Sequence, residues 1–188
     1  MGVVSMEPAP NYEDLRKHDF KNFNFDGLIT FRDPLRQGVF ESMKKINEAG
    51  VKTIIVTGDH RGTAEAVARE LGLIDGKGAV ITGDDLNHLS KDELYSRADT
   101  VTVYARVTPE QKVQIAKMYK EKGHIVAMTG DGINDAPALD AANIGVALGS
   151  GTDVTKSAAD LVILDNNYET IVAAIIEGRR ILDNIKKV

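Results

Sequence analysis

Two aspartates four residues apart, Asp131 and Asp135, sit in the string M-T-G-D-G-I-N-D-A-P-A-L from Met128 to Leu139. The apolar run H-I-V-A from His124 to Ala127 suits a buried strand, Thr129 to Gly132 read as the tight turn after it, and a helix is expected from Ile133. Asp131 then lies on the turn and Asp135 on the first helical turn. Both carboxylates can face one point at the carboxyl end of the strand, where open α/β sheets bind ligands. Hard oxygen donors of this kind suit Mg²⁺, which keeps several waters and shares phosphate oxygens with its protein carboxylates. Asp131 is expected to coordinate the metal directly and Asp135 to orient it through water. A turn aspartate followed by a helix cap would have the same spacing. The glycines, Asn134 and Pro137 make this string more specific than the spacing alone.

Phosphoryl transfer needs a nucleophile, a divalent cation, and positive or hydrogen-bonding groups around the transferred oxygens. Candidates for the last role recur at strand ends. Thr57-Gly58-Asp59 follows the apolar run V-K-T-I-I-V, so a hydroxyl and a backbone N–H stand on the turn where both can bind a phosphoryl oxygen. Lys112 follows Pro109 by three residues, in the first turn of a helix that Pro109 can start, and its ammonium can reach a phosphate at the sheet edge. The Asn134 amide can donate to a phosphate oxygen. Taken singly, T-G-D is an ordinary turn and a helical lysine an ordinary surface charge. His18, His60, His88 and His124 show no ligand spacing, so no transition-metal site is expected.

The elements that must carry these groups follow from periodicity. Strands are expected at Phe25–Phe31, Val51–Val56, Ala79–Thr82, Thr100–Ala105, Ile125–Met128, Ile144–Ala147 and Leu161–Leu164, alternating with helical stretches. Helices are expected from about Leu35 to Ala49, opened by Pro34, from Thr63 to Leu71, stopped by Gly72, and from about Tyr168 to Lys187 with one apolar stripe. That alternation predicts a Rossmann-like α/β fold with a mostly parallel sheet and helices on both faces. Residues 1–23 are polar, apart from a strand candidate at Val3-Val4, and read as an edge strand and linker; residues 24–188 read as the main domain.

The 188 residues, 43% of them hydrophobic, suffice for one good core. A net charge of −5 argues against nucleic acid or anionic lipid as the main partner. With no cysteine there is no disulfide, thiolate zinc site or cysteine nucleophile. Met1 to Pro10 does not read as a signal peptide, and no segment approaches the ~18 uninterrupted apolar residues of a membrane helix. A soluble, cytoplasmic chain is expected.

T-G-D-G-I-N-D-A-P-A-L resembles the hinge motif of the P-type cation-transporting ATPases, members of the haloacid dehalogenase superfamily. Asp33-Pro34-Leu35-Arg36 resembles their D-P-P-R hinge with Leu35 in place of the second proline. Thr57-Gly58-Asp59 resembles their T-G-D motif, and A-R-V-T-P-E-Q-K from Ala105 to Lys112 their lysine motif. The resemblance runs from about Asn24 to the end, in the family's order, and is nearest to the calcium, sodium and proton pumps. It implies that Lys112 contacts the phosphorylation site, that Thr57 and Gly58 hold the phosphate, that Asp59 helps to place nucleotide and Mg²⁺, and that Arg106 lies near the ribose and phosphates of ATP. Asp33 and Arg36 become structural hinge residues.

The nucleophile of that family is the aspartate of D-K-T-G-T, and no such string occurs in these residues. The opening Gly2-Val3-Val4-Ser5-Met6 resembles the end of the family's inserted nucleotide-binding domain. On this reading the chain is the C-terminal part of a phosphorylation domain. It is expected to be inactive alone and to need an upstream segment with the nucleophile and the nucleotide domain, and the parent's membrane domain, with this domain on the cytoplasmic side. One alternative is a small Mg²⁺-dependent phosphatase with Asp26 of D-G-L-I-T as nucleophile, which the absence of a second acidic or threonine residue at Leu28 weakens. Another is a non-catalytic domain that docks on a pump.

Overall fold

The computed structural model of the chain describes residues 2–5, 24–29, 34–74 and 79–187. They divide into two compact units, Met1–Leu35 and Arg36–Val188. In the first, β1 (Gly2–Ser5) pairs antiparallel with β2 (Asn24–Leu28), which carries Asp26 on an exposed stretch. Asp33 and the expected strand end at Phe31 lie outside the described residues.

The second unit is the α/β fold that the alternation predicts. Its strands are β3 (Ile55–Val56), β4 (Ala79–Thr82), β5 (Val101–Ala105), β6 (Ala127–Gly130), β7 (Ile144–Leu148) and β8 (Leu161–Ile163). Every pairing among them is parallel, but they form two sheets of three strands, in the orders β3-β5-β4 and β6-β7-β8. The inner strand of each sheet is the buried one. Val101, Val103, Tyr104 and Ala105 of β5 are each at most 1% exposed, and Val146 and Ala147 of β7 are also buried.

The helices are α1 (Val39–Glu48), α2 (Arg61–Glu70), α3 (Gly83–His88), α4 (Lys91–Arg97), α5 (Pro109–Glu121), α6 (Ala136–Ala141), α7 (Asp153–Ser157) and α8 (Tyr168–Lys186). α1 starts four residues later than Pro34 suggests, because Gly38 takes a left-handed conformation, φ 82°, that a helix cannot contain. α2 starts earlier than expected, since the His60 ring accepts from Gly62 N–H and caps it. β6 is shifted two residues along. His124 and Val126 are held by the end of α5 and by Asn143, and pairing with β7 runs through Thr129 and Gly130, so those two residues are strand rather than turn.

One apolar cluster joins β4 and β5 to α4 and α5 through Ile81, Leu94, Val101, Tyr104, Ile115 and Met118. Inside it the Tyr119 hydroxyl donates to the Ala98 carbonyl at 2.7 Å and lies 3.3 Å from the Tyr104 hydroxyl; burial pushes both phenols above their usual range. A second cluster packs α1 against α8 through Met43, Ile46 and Val172. No helix of the described residues is long and apolar enough to cross a membrane.

α3 matters to the site because its first residue, Gly83, touches the chain between β5 and α5. A Cβ there would collide with the Arg106 carbonyl and come within 2.7 Å of Gln111 Oε1. The helix start is fixed by a capping box in which Thr82 N–H and Oγ donate to Asp85 Oδ2 at 2.8 and 2.7 Å. These bonds hold the Asp85 carboxyl below the usual carboxylate range. A depressed folded-state pKa contributes stability above the unfolded value and loses it as pH falls through the folded one. Asp85→Asn should therefore be less stable than the parent near neutral pH and converge with it as the pH falls below the ordinary aspartate value of about 3.9, read from urea unfolding at several pH values. A constant difference across that range would rule out the ionised cap.

Candidate functional site

Sequence places Asp131 directly after β6, and the surrounding backbone dictates how the turn runs. Asp131 carbonyl accepts from Thr152 N–H at 3.0 Å, and Gly132 carbonyl accepts from the Thr155 hydroxyl at 2.9 Å. Thr155 is fully buried at the start of α7, whose N-cap is Thr152. These two threonines clamp the D-G turn from behind. The sequence reading missed both, because G-T-D-V-T scans as a loop and helix cap; the spacing T-x-x-T after a strand is the only local signal.

After the turn comes one turn of 3-10 helix, Ile133–Asp135, and then α6 with Pro137 in its first turn. Asp135 is pinned against Gly130, where any Cβ would fall 2.5 Å from Asp135 Cβ and 2.9 Å from its Cγ. Only glycine admits the aspartate this close to the strand end. Asp135 Oδ2 accepts from Gly132 N–H at 3.2 Å. Its other oxygen accepts from Lys112 Nζ at 2.6 Å, with the two side chains 15% and 12% exposed. The Asp131 carboxylate is exposed and has no protein hydrogen bond among the described residues.

Lys112 is delivered by α5 as Pro109 predicts. Thr108 caps that helix and forms a capping box with Gln111, whose amide also donates to Gly83 O and Asn87 Oδ1. Lys112 thus projects from a helix start that is bonded on two sides. Thr57 directly follows β3: its N–H donates to Tyr104 O, its carbonyl accepts from Val107 N–H, and its hydroxyl accepts from Asp59 N–H at 3.1 Å. Arg106 N–H donates to Asp59 carbonyl at 2.9 Å, and Arg106 has φ 52°, a left-handed conformation that costs a non-glycine residue energy. The T-G-D turn and the turn after β5 are therefore one interlocked unit.

Thr57, Lys112, Asp131 and Asp135 line a single cleft of about 560 Å³ between β3 and β6. Gly58, Asp59 and Arg106 are exposed on the adjoining interlocked turns, and Asn134 is exposed within the 3-10 turn. Asp26 stands mid-strand on β2 in the first unit, and Arg36 Nη1 donates to Asn166 O at 3.3 Å. Among the described residues no three His, Cys, Asp or Glu side chains converge into a self-sufficient metal cage. The exposed Asp131 carboxylate, with Asp135 engaged by Lys112 and Gly132 behind it, offers few direct oxygen ligands, which fits a cation that keeps most of its waters, as Mg²⁺ does.

Compared with known proteins, the chain is 49% identical over 180 residues to a calcium-transporting ATPase of Bacillus subtilis, a match covering 95% of this chain. It is 45% identical over 180 residues to a calcium-transporting ATPase of Listeria monocytogenes, covering 96%. In both cases it spans 20% of the relative's length. A crystal structure of a zinc-transporting PIB-type ATPase in an E2.Pi state superposes with TM-score 0.65 at 33% identity, covering 83% of this chain and 21% of that one. The parallel sheets and the match of residues 6–143 to the haloacid dehalogenase-like hydrolase model agree: the chain belongs to the haloacid dehalogenase-like hydrolase family.

Proposed function

We propose that this chain is the phosphoryl-handling part of the phosphorylation domain of an ATP-driven cation pump. The observation that carries the reading is the convergence of Thr57, Lys112, Asp131 and Asp135 on one cleft at the carboxyl ends of β3 and β6. Asp131 would hold Mg²⁺ and Asp135 would orient it, while the Thr57 hydroxyl, Gly58 N–H and Lys112 ammonium would take the phosphoryl oxygens, with Asn134 as a further donor. Asp59 and Arg106, fixed to each other through their backbones, would face the nucleotide of ATP. Mg²⁺ would supply charge neutralisation at the transferred phosphoryl group. The reading includes partners: a segment bearing the aspartyl nucleophile, a nucleotide-binding domain and a membrane domain, with this part on the cytoplasmic side. Alone, the chain is expected to bind Mg²⁺ and phosphate weakly and turn over nothing.

The Lys112–Asp135 pair gives the reading a physical logic. With neither ligand present, the ammonium and the carboxylate neutralise each other in a half-dry site. A phosphoryl group draws Lys112 away, and a cation compensates the carboxylate left behind, so the two ligands favour one another. No observation favours Asp26 as a nucleophile, since it lies within an antiparallel pair and not at the carboxyl end of a parallel strand.

Calorimetry with MgCl₂ should show binding weakened about tenfold by Asp135→Asn and more by Asp131→Asn; unchanged isotherms in both variants would sink the metal assignment. Lys112→Met should abolish the ³¹P shift of inorganic phosphate in the presence of Mg²⁺ and cost about 2 kcal/mol of stability, between the values for surface and fully buried pairs. An unaltered phosphate shift would remove Lys112 from the site. Sustained hydrolysis of p-nitrophenyl phosphate by the purified chain, lost in Asp26→Ala, would replace this reading with a free-standing phosphatase.

A further inference from the structure

Thr155, on α7, is 0% exposed, and its hydroxyl bonds to backbone rather than to either carboxylate of the site. Its single hydroxyl hydrogen has three oxygens in reach: Gly132 O at 2.9 Å, Thr152 Oγ1 at 2.7 Å and Asp131 O at 3.4 Å. Thr152 Oγ1 already accepts from Thr155 N–H at 3.3 Å and carries a hydrogen of its own. Both hydrogens find acceptors when Thr152 donates to Thr155 and Thr155 donates to the Gly132 carbonyl. The buried hydroxyl thus delivers its proton to the backbone of the D-G turn.

That backbone is what aims Asp131. Its carboxylate has no protein hydrogen bond among the described residues, so the side chain takes its direction from the peptide units on either side. The Asp131–Gly132 peptide is held at both edges: its carbonyl accepts from Thr152 N–H at 3.0 Å, and on the opposite side of the plane its N–H donates to Asp135 Oδ2 at 3.2 Å. The next peptide begins at Gly132, the residue type with the widest backbone freedom, which here lies at φ −96°, ψ 156°. Its carbonyl accepts from Asp135 N–H at 2.9 Å and from the Thr155 hydroxyl. Gly132 therefore grips Asp135 by both its backbone groups, and Thr155 grips Gly132. Solvent has no access to this contact, since Thr155 is fully buried and the loop leading into α7 lies flush on the turn: a Cβ on Gly151 would fall 3.1 Å from the Asp131 carbonyl oxygen and 3.2 Å from its Cα.

We propose that Thr155 is a positioning residue for Mg²⁺: its hydroxyl, acting through the Gly132 carbonyl, fixes the Asp131 and Asp135 carboxylates relative to each other and so sets the affinity of the site for the cation. A metal held by few protein oxygens depends strongly on where each one stands, because water replaces a misplaced carboxylate at little cost. Asp135 is also kept in place by Lys112, whereas Asp131 depends on the two threonines. Loss of the Thr155 hydroxyl frees Gly132 to rotate and lets Asp131 sample directions away from Asp135. The fold survives that loss, because the Gly132 carbonyl keeps its bond from Asp135 N–H. The inference rests on the Mg²⁺ reading of the site proposed above.

Calorimetry with MgCl₂ on the whole chain compares Thr155→Val, which keeps the shape and removes the hydroxyl, with Thr155→Ser, which keeps the hydroxyl and loses a buried methyl group. Thr155→Val should bind Mg²⁺ about tenfold more weakly, and Thr155→Ser within about twofold of the parent although it too is destabilised. Parent-like affinity in Thr155→Val, or an equal loss in Thr155→Ser, overturns the assignment and leaves Thr155 a packing residue. The Thr155 hydroxyl proton of the parent, followed by NMR, checks the geometry without any variant having to fold. It should exchange with water at least about a hundredfold more slowly than that of an exposed threonine, and keep that protection when MgCl₂ is added. Rapid exchange overturns the clamp. Asp131→Asn tells the two failures apart. If the parent binds no Mg²⁺, or Asp131→Asn binds it as well as the parent, the metal reading has failed and the role of Thr155 with it; if Asp131→Asn loses binding and Thr155→Val does not, Thr155 alone has failed.

Discussion

The ion pair between Lys112 and Asp135 joins the helix that follows β5 to the turn that follows β6, and so links the two three-stranded sheets. A charged pair this close and this little exposed survives only where its surroundings fix both partners, since neither side chain regains its hydration cheaply. The fixing is visible on each side. α5 is anchored by the Thr108 and Gln111 capping box and by the bonds of Gln111 to α3, so Lys112 cannot drift along the sheet. Asp135 is held by the lack of a side chain on Gly130 and by the N–H of Gly132, whose own carbonyl is held by buried Thr155. Charge placement is thus the last step of a chain of backbone hydrogen bonds, not a property of the two residues alone.

How much of this could be read from residues alone depends on the range of the interactions. Turns whose chemistry is local were legible: Pro109 does start α5 and bring Lys112 into its first turn, and T-G-D does follow a strand. β4 matches its expected bounds, and β5 and β7 differ from theirs by one residue at one end, because their apolar runs are bounded by clear breaks. Misplaced boundaries trace to contacts that periodicity does not encode. β6 extends through Thr129 and Gly130 because β7 pairs with them, and α1 waits for Gly38 because the turn before it needs a left-handed residue. The threonine clamp behind Asp131 joins residues more than twenty positions apart, so no local pattern announces it. The division of the parallel strands into two sheets was equally invisible, since periodicity shows that a strand exists and not what lies beside it.

Burial makes that division more than a matter of topology. Each sheet places its apolar residues as a parallel strand does, yet only β5 and β7 reach the dryness that such composition implies. Around the gap between β3 and β6 the chain leaves partly open an apolar wall from α1 and α8. At one end of that gap stands the Lys112–Asp135 pair. Each charge neutralises the other where both side chains are little exposed, so removing either partner would leave the other charge without compensation.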